Sequence, residues 1–594
     1  DYTTDGTKKL LSVEVGAGTN VNALTETYTY NDYGQTATKS LSEAVEQTYV
    51  YAYKDNAAKD LDYMTLPNGL KYYPQKDVNG RNTGRELTDT NGNRKYGEYI
   101  YYRKVGDHAT NMPASVYYGM TKNGKYVIGE NVKYSYDAMG NISKVFENGT
   151  MTVQYTYDAL NRLVREDNKK LGKTYFTTYD NCGNILSKRE TAYTLKAEEE
   201  LTEETFTEVL YGYEANSDRL ISYNGGAITY DEFGNPTDYR GNTLEWKYGK
   251  FLEKYGSTTF AYDGYGRRIK KGNTVFTYDN EGNLVKQSDG TNTLEFIYDG
   301  NGLCGVKCNT VNYLYRKNAQ GDITHILDNA GMVVAKYVYD AWGNHAILDA
   351  NGTDLASGVG VLNPFRYRSY YYDEETDLYY LQTRYYDPEV GRFISQDDVS
   401  YLAPDNINGL NLYAYCSDNP VMATDPTGTS EWWEWLLAIG LGTISGYFSF
   451  GAYSAYGSAK SLGYSGWALF GYTLTGLVVG NYFVVATNWD RVKLTIVDGW
   501  EIDHYNFDFT KNEYFTLWTA HLYAKYLYNQ HSLEGRTKTG IYIELIAHYI
   551  GYYMGIERGN PAWLGPNNWK KDETAVISEW LARIFFSPLF EILL

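Results

Sequence analysis

Tyr134-Ser135-Tyr136-Asp137-Ala138-Met139-Gly140-Asn141-Ile142 decides the fold, because it recurs. It returns as Tyr155-Thr156-Tyr157-Asp158-Ala159-Leu160-Asn161-Arg162-Leu163 and as Tyr179-Asp180-Asn181-Cys182-Gly183-Asn184-Ile185. Further copies start at Tyr230-Asp231, Tyr262-Asp263, Tyr278-Asp279, Tyr298-Asp299 and Tyr339-Asp340, and an earlier one, with Asn for Asp, is Tyr28-Thr29-Tyr30-Asn31-Asp32-Tyr33-Gly34. Where the spacing is regular, neighbouring copies lie roughly 20 residues apart, a period of repeat architectures.

Each unit reads as a β-hairpin. Tyr-x-Tyr puts two aromatic rings on one face of a strand, because side chains alternate with period two. The Asp carboxylate turns the chain by accepting a hydrogen bond from the backbone two residues on, and the Gly-Asn pair supplies left-handed backbone. Ile142, Leu163, Ile185 and Leu284 begin the return strands. A single hairpin is marginal in water, so copies are expected to stack into a continuous sheet.

Composition agrees. The chain has 594 residues, of which 65 are Tyr and 58 Gly against 12 Pro. Tyr favours strands and Gly marks turns, which points to a mainly β protein. A hydrophobic fraction of 43% excludes a disordered chain. The net charge of −19 repels phosphate backbones, so no nucleic-acid partner is expected for the chain as a whole. Four cysteines (Cys182, Cys304, Cys308 and Cys416) are too few for a disulfide scaffold, and Cys304 and Cys308 lack a second Cys or His pair for zinc. No metal and no cofactor is expected.

A second stretch is more specific than the repeats. Asn363-Pro364-Phe365-Arg366-Tyr367-Arg368 precedes Asp377-Leu378-Tyr379-Tyr380-Leu381-Gln382-Thr383-Arg384-Tyr385-Tyr386-Asp387-Pro388. Gly391-Arg392-Phe393-Ile394-Ser395, Asn411-Leu412-Tyr413-Ala414-Tyr415, Asn419-Pro420 and Asp425-Pro426-Thr427-Gly428 follow in order. The chain resembles the YD repeats and the repeat-associated core of the RHS family, which includes bacterial wall-associated repeat proteins, Tc toxin C components and the teneurins. The resemblance implies a spiral shell of β-hairpins over residues 1–350 and an inward-curling core plug over 351–428. It also implies a variable C-terminal domain, often a toxin, carried by the shell. Asp1 opens the sequence without Met or leader, which reads as a fragment of a longer secreted or surface-displayed bacterial protein. The Glu- and Thr-rich run from Glu198 to Glu208, inside a period break at 195–210, reads as a solvated insertion loop.

The resemblance also implies an aspartyl self-cleavage site. By position its carboxylates are Asp398 (or its neighbour Asp397) and Asp425. Two carboxylates forced together share a proton, so one acts as acid while the other activates water. Two departures weigh against it: Asp397-Asp398-Val399 lacks the Pro that often follows, and Thr429 stands where cleaving members have Leu. The plainer reading makes Asp425-Pro426 a turn and leaves Asp397 and Asp398 solvated.

After Gly428 the repeat unit disappears. Residues 429–594 hold 11 Lys and Arg against 15 Asp and Glu, no basic face for a nuclease. Residues 429–490 are Gly-rich, with no charge between Glu434 and Lys460 or between Lys460 and Asp490. Both runs exceed the ~20 residues that cross a bilayer, which admits a membrane-active hairpin. Tyr447, Ser449, Tyr453 and Tyr456 favour instead a connector packed on the shell wall. Residues 491–594 show helical periodicity, giving a smaller, mainly α domain. His521, Glu544 and His548 could act there as acid, base or ligands, although Glu-Leu-Ile-Ala-His is not the His-Glu-x-x-His signature. A buried hydrogen-bonded Glu544–His548 pair is the structural alternative. The expected partners are a cognate immunity protein, a target-cell membrane or a surface glycan. The shell itself is expected to be non-enzymatic.

Overall fold

The computed structural model describes residues 9–15, 23–56, 60–78, 80–105, 108–122, 125–215, 217–397, 411–429, 494–496 and 500–502. Among them the fold is almost entirely antiparallel β. Eighteen strands, from Ser12–Val15 to Gly226–Ala227, form one sheet, and fourteen, from Thr229–Tyr230 to His345–Leu348, form a second. Within each sheet every strand pairs with the one before it in sequence. Four short strands (Tyr371–Asp373, Leu378–Tyr380, Tyr385–Asp387 and Arg392–Phe393) make a third sheet inside the core segment.

The turns form as the aspartates dictate, with more contacts than alternation alone requires. Asp137 Oδ1 accepts from the amides of Met139 (2.9 Å) and Asn141 (2.8 Å), while Asn141 Nδ2 donates back to Asp137 Oδ2 at 3.1 Å. Asp158, Asp180, Asp231, Asp263 and Asp340 repeat the pattern. Where Arg replaces Asn, its guanidinium takes the amide's place, as Arg162 Nε does on Asp158 at 2.7 Å. Left-handed backbone comes from the Gly position alone: Gly140 has φ +92°, and Asn161, which replaces Gly, has φ +63°. The expectation that Gly and Asn share that task is therefore corrected. The Asn side chain is the bracket, and Gly, with no Cβ, supplies the conformation.

The tyrosines do more than present rings. The Tyr that closes a strand before a turn sends its hydroxyl to the preceding hairpin, and Tyr157, Tyr179, Tyr213 and Tyr298 each sit at a register shift. Tyr157 donates to Ile142 O (2.7 Å), Tyr179 to Leu163 O (2.7 Å) and Tyr213 to Ile185 O (2.8 Å). Tyr298 donates to Leu284 O (2.9 Å) and Tyr339 to Ile323 O (2.7 Å). Each acceptor belongs to the apolar residue that opens a return strand. Phe would fill the same space without this bond, which is a reason for Tyr at these positions.

In the 195–210 insertion, Glu198–Glu200 and Glu203–Thr205 are short 3-10 turns without buried residues. The insertion's last residues are not loop: Thr207–Tyr213 is a strand paired with Ile185–Ala192, because Glu208 and Leu210 meet Arg189 and Ser187 in register. Within 491–594 the described residues form one strand pair, Leu494–Ile496 with Trp500–Ile502. The helices expected there, and all of 431–490, lie outside the described residues. No described helix is long and apolar enough to cross a membrane.

Candidate functional site

The turns of the two sheets carry the core segment. Four of its arginines, Arg366, Arg368, Arg384 and Arg392, are buried, and the terminal nitrogens of each bond to the wall or to the core itself. Arg392 donates to Asn184 Oδ1 (2.8 Å), Tyr213 Oη (3.0 Å) and Asp218 O (2.6 Å), all in the first sheet or its turns. Arg368 donates to Asp322 Oδ1 at 3.2 Å and stacks on Tyr367. Asn419 Nδ2 reaches Asn141 Oδ1 (3.1 Å) and Asn161 O (2.8 Å). From the wall side, Arg268, 1% exposed, binds Asp373 with both terminal nitrogens amid the rings of Phe260, Phe276, Tyr371 and Tyr380. Burial alone would raise the Asp373 carboxyl, but Arg268 and Lys271 outweigh it and hold Asp373 below the usual range.

The turn from Asp340 to Asn344 is the junction of all three sheets. Its three successive carbonyls accept hydroxyls from the core: Tyr367 at Ala341 O (2.8 Å), Tyr386 at Trp342 O (2.7 Å) and Tyr379 at Gly343 O (2.9 Å). Its Ala341 amide donates to Glu166 of the first sheet at 2.8 Å.

The candidate cleavage residues fall where the core ends. Arg384 Nη2 lies 2.7 Å from Asp397 and 3.5 Å from Asp425, with side-chain exposures of 10% and 1% for the two acids. The cation offsets the repulsion between the carboxylates. Asp425 Oδ1 accepts from the amides of Gly428 (2.8 Å) and Thr429 (3.2 Å). Arg384 Nε donates to Gly428 O, and Thr383 Oγ1 donates to Thr427 O at 2.5 Å. The Asp425 amide is held in turn by Tyr370 Oη at 2.7 Å.

The Gly428–Thr429 peptide bond is thus gripped at both ends, its carbonyl by a guanidinium and its amide by a carboxylate. Charge on a carbonyl oxygen is stabilised by such a preplaced donor, the electrostatic requirement of addition to an amide. The same contacts also serve a closed turn. Asp425 closes the turn that the plainer reading gives it, but Asp397 is not the solvated acid of that reading: the two meet through Arg384. Asp398 lies outside the described residues, as do His521, Glu544 and His548. Sequence reading passed over Arg384, Thr383 and Tyr370, although the Thr383-Arg384 pair stands inside the quoted core motif. Among the described residues no His, Cys, Asp and Glu group is placed to hold a metal. Cys304 and Cys308 are buried free thiols, and Cys182 is an exposed one.

Comparisons with known proteins align with this architecture. Residues 177–356 match the Teneurin YD-shell family. The tRNA nuclease WapA of Bacillus subtilis is 35% identical over 307 residues, covering 49% of this chain and 12% of WapA. Toxin protein Tse5 of Pseudomonas aeruginosa is 46% identical over 65 residues, 11% of this chain and 5% of Tse5. The crystal structure of TcdB2-TccC3 without its hypervariable C-terminal region aligns over 71% of this chain and 25% of that one, at 16% identity and a TM-score of 0.47. The chain therefore spans only a small part of these much longer proteins. Repeat, turn chemistry, strand order and the match over residues 177–356 converge on a YD-repeat shell.

Proposed function

We propose that this shell encloses and presents a variable C-terminal effector, residues 429–594, in competition between bacterial cells. The supporting observation is the closure at Gly428: Arg368, Arg392 and Asn419 anchor the core to the wall, and its last turn fastens the residue where the repeat composition stops. The relatives' printed names, a tRNA nuclease and a toxin protein, support a toxin-shell role. The matched part is 12% of WapA, so its nuclease activity is not carried to this chain. The reading includes secretion or surface display, a cognate immunity protein, and self-cleavage at 428–429 by Asp425 with Asp397 or Asp398. The shell boundaries 1–350 and 351–428, and the division of the tail at 490, belong to the same proposal.

The test is expression in a bacterium of residues 429–594 alone, of the full chain, and of 429–594 with the neighbouring open reading frame. Growth arrest by the fragment alone, relieved by either companion, is the expected result. No harm from the fragment in any compartment overturns the effector reading. Dye release from liposomes by the fragment would instead favour the membrane-inserting alternative raised by the uncharged runs on either side of Lys460. Glycan binding by the shell without toxicity would favour an adhesin.

A further inference from the structure

The two large sheets meet along a seam, where turns of the second sheet seat against residues of the first. At three turns the acid is matched by a cation. Lys39 Nζ lies 3.1 Å from Asp279, Arg85 binds Asp299, and Asp322 receives Arg368 of the core. Backbone bonds reinforce these rungs: Gln47 to Phe296 O (3.1 Å), Arg85 to Tyr315 O (3.1 Å) and Tyr118 to Lys317 O (2.7 Å).

The fourth turn breaks the rule. Asp340 makes no ion pair among the described residues and faces another acid, Glu166, 1% exposed. Glu166 Oε2 accepts from the Ala341 amide (2.8 Å), Oε1 accepts from Asn168 Nδ2 (2.9 Å), and Asn168 Nδ2 also donates to Tyr339 O (2.8 Å). Both acids are buried, Asp340 in a turn that joins first sheet, second sheet and core, and Glu166 on the first-sheet strand Leu163–Asn168 facing it. Two like charges buried side by side repel, so one of the two acids keeps its proton.

We propose that Glu166 and Asp340 form a proton-held latch: protonated, the pair closes the seam at the 340–344 turn, and deprotonated, it releases that turn from the first sheet. The surroundings fit. Burial, then Asp340, raises Glu166 to about 8, and burial raises Asp340 as well. Facing Glu166 are Asp167 on its own strand, Tyr155 and Tyr157 on one neighbouring strand, Tyr175 on the other, and Lys188 beyond. Burial pushes all three tyrosines up, so they stay neutral while the acids titrate. Lys188 sits 4.5 Å over the Trp342 ring and donates to Glu389 O at 3.1 Å; burial lowers it to about 8 against the pull of Asp340, Asp387, Glu389 and Glu166. Lys188, a cation acting on both acids, therefore discharges in the same interval, which adds to the repulsion.

A raised carboxyl is fully accommodated below its unfolded pKa and costs stability as pH rises from there to the folded value. The experiment is hydrogen exchange on the full chain between pH 6 and 10, read as protection factors for Ala341 and, as reference, for amides at the Arg85–Asp299 rung. Protection at Ala341 is expected to fall about tenfold per pH unit from pH 6 to 8 and to level off above that, with the reference rung unchanged. In Glu166→Gln, which keeps an acceptor for the Ala341 amide and cannot ionise, the step should vanish. No step in the native chain, an equal step at both rungs, or an unchanged step in E166Q overturns the latch. The comparison of rungs in the native chain stands even where the variant does not fold.

Discussion

Tyr179 Oη reaches back to the carbonyl of Leu163, 2.7 Å away across 16 residues of chain, and so sews one hairpin to the one before it. Because Phe preserves the ring and deletes only the bond, Tyr179→Phe and Tyr157→Phe are each expected to lower stability by about 1 kcal/mol. Tyr33→Phe, whose ring is 70% exposed, should change it by less than half as much. Urea unfolding of the three variants measures this, and equal effects would reduce the hydroxyls to decoration.

Arg268 and Asp373 join wall to plug with neither side chain more than 1% exposed. Removing one partner leaves the other charged and buried, so Arg268→Ala is expected to cost about 3–5 kcal/mol. Replacing both with apolar residues of similar volume should recover much of that loss. The held-down Asp373 carboxyl adds stability above its unfolded pKa that disappears as pH falls through the folded value. Thermal unfolding of R268A from pH 7 to 3 should show a shallower acid limb than the native chain.

Closure at the junction has two separable elements. Gly428 has φ +73°, and a Cβ there would sit 2.8 Å from Thr383 Oγ1 and 2.9 Å from Leu381 O. Gly428→Ala is therefore expected to loosen the last turn by about 1–3 kcal/mol, read as faster protease entry at 427–430. For self-cleavage, Arg384→Gln removes the cation at the Gly428 carbonyl and should slow release of 429–594 by on the order of 10²-fold. Gel analysis of the full chain measures the fragment. If the native chain releases none over days, the grip is purely structural.

His345 is packed among Tyr339, Tyr372 and Tyr379 and touches Arg366. Burial, then Arg366, lowers it to about 3. The unfolded imidazole takes a proton near 6.5 and the folded one does not, so stability is full above 6.5 and falls as pH drops toward 3. His345→Gln should flatten that slope, as pH-dependent thermal unfolding would reveal.

The hairpins, the Asp turns and the core segment were legible because each is local: a carboxylate and the amides it binds lie within four residues. Asp425 was legible through its motif. What stayed hidden was every partner supplied from far along the chain. Nothing in Thr383-Arg384 announces a contact with residues 397, 425 and 428, and nothing in Glu166 announces Asp340, because shell closure sets those distances. Tyr-x-Tyr gave the strand face, but the destination of the hydroxyl depends on the stagger of neighbouring hairpins. The insertion's final strand was missed because its Glu-rich composition masked a pairing dictated by the strand beside it.

Strand pairing by nearest predecessor has a kinetic consequence. Each new hairpin needs only the edge already laid down, so the wall can grow in step with synthesis, at the low loop-closure cost of short-range contacts. The contacts linking residues 26–166 with 279–341, and those of the arginine-rich plug, must wait until the second sheet exists. Assembly is then a fast zippering followed by a slow seal, and a ribosome would still be making residues after 429 while the two sheets ahead of them were taking shape.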